Sequence, residues 1–163
     1  MQPLSLFTDG SVNTQIGVGY GAYLLISLAH SPLKELQKQI KVQRFEQTSS
    51  TQLELQTLLW ALGEITELGC TNDIELTVYT DSQNIICLPQ RRASLERNDY
   101  YSSKNKRLSH YLLYQALYRL TDNIKCDFVK VAGHQPSRDK DEIAQRFALV
   151  DKAARRSLRE AFR

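Results

Sequence analysis

Two stretches of this chain end in the same unusual way. Leu4-Ser5-Leu6-Phe7-Thr8-Asp9 is an apolar run that reaches an acid at its last position, before Gly10-Ser11. Leu76-Thr77-Val78-Tyr79-Thr80-Asp81-Ser82 repeats the grammar: apolar strand, aromatic, threonine, aspartate, small residue. An ionised carboxylate at the end of a buried strand costs several kcal/mol unless something pairs with it. Two strands ending in matched acids therefore point to one shared cation. They restrict the fold to those that lay two such strand ends side by side.

The 163 residues suit a single domain, 1–163, with enough chain to bury a real core. Apolar residues at 42% and charged residues at 24% exclude a disordered, highly charged class. No apolar run approaches the roughly 20 residues needed to cross a bilayer. The start leads straight into a strand, without a basic, apolar secretory leader, so the expectation is a cytoplasmic protein away from membranes. Cys70, Cys87 and Cys126 are odd in number and scattered, as are His30, His110 and His134. They offer no disulfide framework and no zinc spacing, which fits a reducing compartment.

The net charge is only +3, but its distribution is uneven. Residues 91–107 hold Arg91, Arg92, Arg97, Lys104, Lys106 and Arg107 against Glu96 and Asp99. Residues 152–163 hold Lys152, Arg155, Arg156, Arg159 and Arg163 against Glu160. Such concentration suits a phosphate backbone; a solvated helix face and a frayed tail would read the same way.

After Gly10-Ser11 and a turn through Asn13, the run Gly17 to Ile26 is glycine-rich at first and apolar afterwards. No Gly-Lys-Ser/Thr follows and no helix opens, so neither nucleotide-binding fingerprint is met. These glycines read as close backbone approach within a second strand. Glu35 to Gln47 alternates through Leu36, Ile40, Val42 and Phe45 as a half-exposed third strand. Thr48 to Thr51 is a helix-start cluster, followed at helical spacing by Leu55, Leu58, Leu59, Leu62 and Ile65 up to Gly69. Glu54 sits at the edge of that apolar arc, beside the sheet. Thr51-x-x-Glu54 also reads as a capping box, and Asp81 as a plain N-cap. A fourth strand spans Asp73 to Thr80. A short helix from Asp81-Ser82 ends near Pro89, the basic stretch follows, and another helix carries Leu108 to Leu120. Cys126 to Val131 is a fifth strand, leading to Gly133-His134 and a polar loop. The last helix starts near Asp141. The order β-β-β-α-β-α-α-β-α indicates an α/β fold, one mixed sheet with helices packed on it.

Asp9, Glu54 and Asp81 are thus joined by further acids in the last helix. Hard oxygen donors without thiolates favour Mg²⁺ or Mn²⁺. Clustered carboxylates can hold two such ions for an in-line phosphodiester displacement.

On these segments the chain resembles the type 1 ribonucleases H. The likeness rests on Phe7-Thr8-Asp9-Gly10-Ser11, Leu53-Glu54-Leu55, Thr80-Asp81-Ser82-Gln83 and Gly133-His134, in that order, with Tyr20-Gly21-Ala22 fitting the second strand. The resemblance implies an RNase H-like fold with a five-stranded mixed sheet flanked by helices. It implies an endonuclease, expected as a monomer, that hydrolyses the RNA strand of an RNA–DNA hybrid and leaves a 3′-hydroxyl and a 5′-phosphate. Two Mg²⁺ ions, or Mn²⁺ in their place, would be held by Asp9, Glu54, Asp81 and a fourth acid. Asp151-Lys152-Ala153-Ala154-Arg155 matches the family's Asp-x-x-Ala-Arg and makes Asp151 that acid; Asp141, nearer the helix start, is the alternative. His134 resembles the family's proton-shuttling or product-releasing histidine. The 91–107 segment resembles its basic protrusion, without the tryptophans often found there, which makes Arg91 and Arg92 substrate contacts beside Gly10, Ser11 and Gln83. Ser50 and Thr51 stand where the family often has asparagines. Two other readings fit the same features: a nuclease of this fold with another nucleic-acid substrate, and a non-catalytic hybrid-binding module.

Overall fold

Strand β1, Gln2–Asn13, lies at the centre of a five-stranded sheet of order β3-β2-β1-β4-β5. The computed structural model describes residues 2–27, 32–69, 71–132 and 141–163. Met1, residues 28–31, Cys70 and residues 133–140 lie outside that description, and with them the readings placed on His30, Gly133 and His134. β2 (Val18–Ile26) pairs antiparallel with β1, and β3 (Lys41–Phe45) antiparallel with β2. β4 (Ile74–Thr80) runs parallel to β1, and β5 (Lys125–Lys130) parallel to β4. The sheet is mixed, as expected.

Strand alternation assigns the two faces. Leu6, Leu76 and Val78 pack on one side with Leu55, Leu58, Leu62 and Ile65 of α2 (Ser50–Glu67) and Leu117 of α5 (Tyr111–Asn123). Phe7, Ala22 and Leu24 point to the other side. They meet Phe147, Val150 and Ala154 of α6 (Glu142–Ala161) and Leu36 of α1 (Leu33–Gln39). Phe7 stacks on Tyr79 of β4 with ring centroids 4.8 Å apart. Between β4 and α5 lie α3 (Gln83–Ile86) and α4 (Leu88–Arg97). Among the described residues no helix is long and apolar enough to cross a membrane.

The glycines of the first hairpin are close-approach positions. A methyl added at Gly21 would sit 2.1 Å from Thr57 Oγ1, and one at Gly10 would sit 2.8 Å from Leu53 Cδ2. Gly10 and Gly21 face each other across β1 and β2. Helix α2 therefore lies directly on a bare backbone patch, which draws its first turns, and Glu54 with them, down to the sheet.

Several element boundaries depart from the sequence reading. β1 does not stop at Gly10 but continues to Asn13, because β2 pairs with it through Asn13↔Val18. The first half of the expected third strand is helix α1, where only Leu36 is buried; β3 begins at Lys41. The short helix expected to end near Pro89 is α3, which closes at Ile86, but Pro89 itself lies in the first turn of a further helix, α4, where the missing N–H costs nothing, so the basic stretch begins inside a helix. Ser49, not Thr51, caps α2, its Oγ accepting from Gln52 N–H at 3.2 Å. Ser82, not Asp81, caps α3, accepting from Ile85 N–H at 3.3 Å.

Candidate active site

β1 and β4 run parallel, so Asp9, within β1, and Asp81, just past the end of β4, come out side by side. Phe7 pairs with Tyr79 in parallel register, which puts Asp9 and Asp81 at equivalent positions two residues further on. Asp9 shares its face with Phe7 and meets α6 there. Its carboxyl hydrogen-bonds the carboxyl of Asp151, and Asp81 adds a second negative charge nearby. Burial is the main cause that pushes the Asp9 carboxyl up to about 8, with the Asp151 hydrogen bond and the Asp81 charge adding to it and the Gly10 N–H opposing. Burial thus favours the protonated form of Asp9, which can donate to the Asp151 carboxylate.

Glu54 approaches from the opposite face. Ser82 Oγ donates to Glu54 Oε2 at 2.7 Å, a role quite different from the capping box. Burial raises the Glu54 carboxyl, the Ser82 hydroxyl lowers it, and the charge of Asp81 raises it again. Asp81 itself is exposed at the mouth and acts electrostatically on both Asp9 and Glu54. Four acids from β1, α2, β4 and α6 are therefore linked, with Asp81 between the two buried sides.

The two candidates for the fourth acid differ in what each carboxylate touches. Asp141 is the N-cap of α6 and accepts from Ala144 N–H at 2.8 Å. Asp151 faces Asp9 and is also held by Arg155 one turn later, at 3.0 Å through Nε and 2.6 Å through Nη2. Among the described residues no three acidic, histidine or cysteine side chains close into a metal-holding group; the acids meet as pairs instead. Their chemistry nonetheless suits a hard cation. All four offer carboxylate oxygens, and burial at Asp9 makes its ionised form costly without a cation. Cys87 and Cys126 are both free thiols. Cys126 is half-buried, and that burial, with the Asp127 charge adding to it, pushes its thiol up to about 12, so it adds no soft ligand.

The remaining expected contacts are dispersed. Gly10 and Ser11 lie in β1, with the Gly10 N–H turned to Asp9. Gln83 is exposed on α3. Arg91 donates to Asn84 Oδ1 at 2.8 Å and lies 5.4 Å from the centre of the Tyr114 ring. Arg92 pairs with Asp122 through both terminal nitrogens, at 2.6 and 3.0 Å, and with Glu96 at 2.8 Å. Both arginines are thus engaged within the chain, whereas Arg97, Lys104 and Lys106 form no ion pair among the described residues. Sequence reasoning passed over Ser82 as a functional side chain. The signal was there: a hydroxyl beside Asp81 can cap α3 and still donate to a carboxylate.

The RNase H family model matches residues 1–158. Among solved structures, LC9-RNase H1, described as a type 1 RNase H with the type 2 active-site motif, aligns with a TM-score of 0.71 at 14% identity, covering 96% of this chain and 72% of that one. The PFV RNase H domain, from prototype foamy virus, aligns at 0.67 and 13% identity, covering 95% and 92%. LC11-RNase H1, solved in complex with an RNA/DNA hybrid, aligns at 0.60 and 16% identity, covering 95% and 99%. At these identities the structural likeness speaks for the fold alone. No curated protein matches the sequence.

Proposed function

The chain belongs to the RNase H family, and from that premise we propose that it is an endonuclease cutting the RNA strand of RNA–DNA hybrids, with Asp9, Glu54, Asp81 and Asp151 as its catalytic acids. The observation that carries the reading is the Asp9–Asp151 contact with Asp81 acting on it: a buried, over-charged oxygen site at one end of the sheet. A stability-driven site would not gather these charges. Two Mg²⁺ ions, or Mn²⁺, would supply water activation and stabilisation of the leaving oxygen there, leaving a 3′-hydroxyl and a 5′-phosphate.

The chain's own groups then have separable tasks. Asp9, held protonated by burial, would give up its proton on binding a cation, which it and Asp151 would help to hold. Ser82 fixes the Glu54 carboxylate through its hydroxyl. Asp81, exposed, faces the bound strand. Arg155 keeps Asp151 in one orientation by a two-point contact, as an outer-shell partner does for a ligand. Gly10, Ser11 and Gln83 line the same end of the sheet as substrate contacts. His134, which follows β5 in sequence, would move a proton or assist product release. In the basic segment, Lys104 and Lys106 are better placed than Arg92 to meet phosphates, since carboxylates neutralise Arg92, while Arg91 keeps its charge on the neutral Asn84 amide.

The test is Mg²⁺-dependent cleavage of a labelled RNA–DNA hybrid, with duplex RNA and duplex DNA alongside, by wild type, Asp151→Asn and Asp141→Asn. The expected result is hybrid-selective cleavage, lost in Asp151→Asn by at least about 10²-fold and retained in Asp141→Asn. Loss only in Asp141→Asn would overturn the fourth assignment. Cleavage of another duplex would favour the second nuclease reading, and hybrid binding without cleavage the binding module.

A further inference from the structure

Lys130 is the last residue of β5 and stands in register with Thr80, the residue before Asp81. The strand continues this alignment, with Val131 N–H donating to Thr80 O at 2.8 Å. Lys130 shares its face with Cys126 and Phe128, the side on which α3 packs, so its exposed chain extends past the end of the sheet beside Gln83. Its Nζ donates to Gln83 Oε1 at 2.8 Å. An ammonium can only donate, so the amide atom facing it is the oxygen whichever way a glutamine is first drawn. Gln83 Nε2 then faces Cys87 Sγ at 3.2 Å. The amide is therefore held from both ends, with one N–H left for a further acceptor.

The character of the partner sets this cation apart from the ion-paired ones: like Arg91 on Asn84, it is held by a neutral amide. Lys41 is paired with Glu64, Arg44 with Glu46, Arg92 with Asp122, Arg146 with Glu142 and Arg155 with Asp151. Each of those charges is neutralised by a carboxylate. Among the described residues Lys130 is instead steadied by a neutral amide, which orients it without cancelling its charge and takes one of its three donors. A positive charge held at the open end of a sheet whose neighbouring groups are acids has one evident use.

We propose that Lys130 is a substrate-binding residue: its ammonium engages a backbone phosphate of the RNA strand flanking the bond that is cut, and in doing so it orients Gln83 toward the same strand. Lysine suits this role because it meets phosphate as a point charge. The inference rests on the hybrid-nuclease reading for the identity of the strand. It requires no change in the acids themselves, so it concerns grip rather than chemistry.

The experiment measures hybrid cleavage and hybrid binding by wild type, Lys130→Gln, Lys130→Arg, Gln83→Ala and the Lys130→Gln/Gln83→Ala double variant across a salt series. Lys130→Gln should raise KM and Kd about 3- to 10-fold and lower the salt slope by roughly one, with kcat within about twofold. Lys130→Arg should restore the slope. The double variant should lose less than the product of the two single losses, because the two groups act through one contact. Unchanged KM, Kd and salt slope in Lys130→Gln would overturn the proposal, and so would a fall confined to kcat. A wild type that binds hybrid without cutting it would sink the nuclease reading alone, since the Kd and slope of Lys130→Gln still decide this one.

Discussion

Asp9→Asn separates the stability of this fold from its chemistry. The Asp9 carboxyl sits at about 8 in the fold against an ordinary 3.8. Below about pH 4 the folded and unfolded chains both carry the proton, and the site costs nothing. Between about pH 4 and pH 8 the fold keeps a proton that the unfolded chain has released, so stability falls as pH rises, and the loss is complete above about pH 8. At 1.36 kcal/mol per pKa unit the full difference corresponds to roughly 6 kcal/mol. Asp9 is only partly buried, and solvent screens part of this, which leaves about 2–3 kcal/mol. Asparagine cannot ionise, but it can still donate to Asp151. In metal-free buffer, urea unfolding of Asp9→Asn should therefore match wild type near about pH 4 and exceed it by about 2–3 kcal/mol near about pH 8.5. Mg²⁺ at the higher pH should stabilise wild type, as any ligand of the folded state does, and leave the variant unmoved. Hybrid cleavage should be abolished. Parallel stability curves for the two proteins across pH would refute the reasoning, since they would mean that Asp9 carries no buried proton. Retained cleavage would remove Asp9 from the catalytic set.

Two further substitutions probe the supports of the site. Ser82→Ala removes the hydroxyl that donates to Glu54 at 2.7 Å and caps α3; it should cost about 1 kcal/mol of stability and about 10- to 100-fold in hybrid cleavage, whereas loss of stability alone would reduce Ser82 to a cap. Gly21→Val drives a side chain into Thr57 and should cost at least about 1–3 kcal/mol, read as a fall in the denaturation midpoint; adding Thr57→Ala should recover part of it, and an uncoupled pair would show that α2 does not rest on that bare backbone.

Both Thr-Asp segments, the edge position of Glu54 and the mixed sheet were legible because each rests on local grammar, an apolar run of strand length ending in an acid. What escaped was set by partners distant in sequence. Leu36, Ile40 and Val42 alternate well enough for a strand, but Leu36 packs against α6 and turns residues 33–39 into helix. Pro89 reads as a stop when its neighbours are unknown, and as a start once α4 extends beyond it. Asp81 and Thr51 are good capping residues in isolation. The serine next to Asp81 and the one two before Thr51 took those roles, which left Asp81 outside a cap and Glu54 answering to Ser82. The engagement of Arg92 by Asp122 depends on α4 and α5 lying side by side, which no local pattern announces.

Asp9 and Asp151 come from opposite ends of the described chain, one on the central strand and one on the last helix. During synthesis the first hairpin can leave the ribosome early, yet its acid has no counterpart until α6 has been made and has docked. Contacts between such remote segments are also the slow ones to form. A chain lacking α6 would therefore keep Asp9, Glu54 and Asp81 but not the carboxyl that Asp9 meets in the fold.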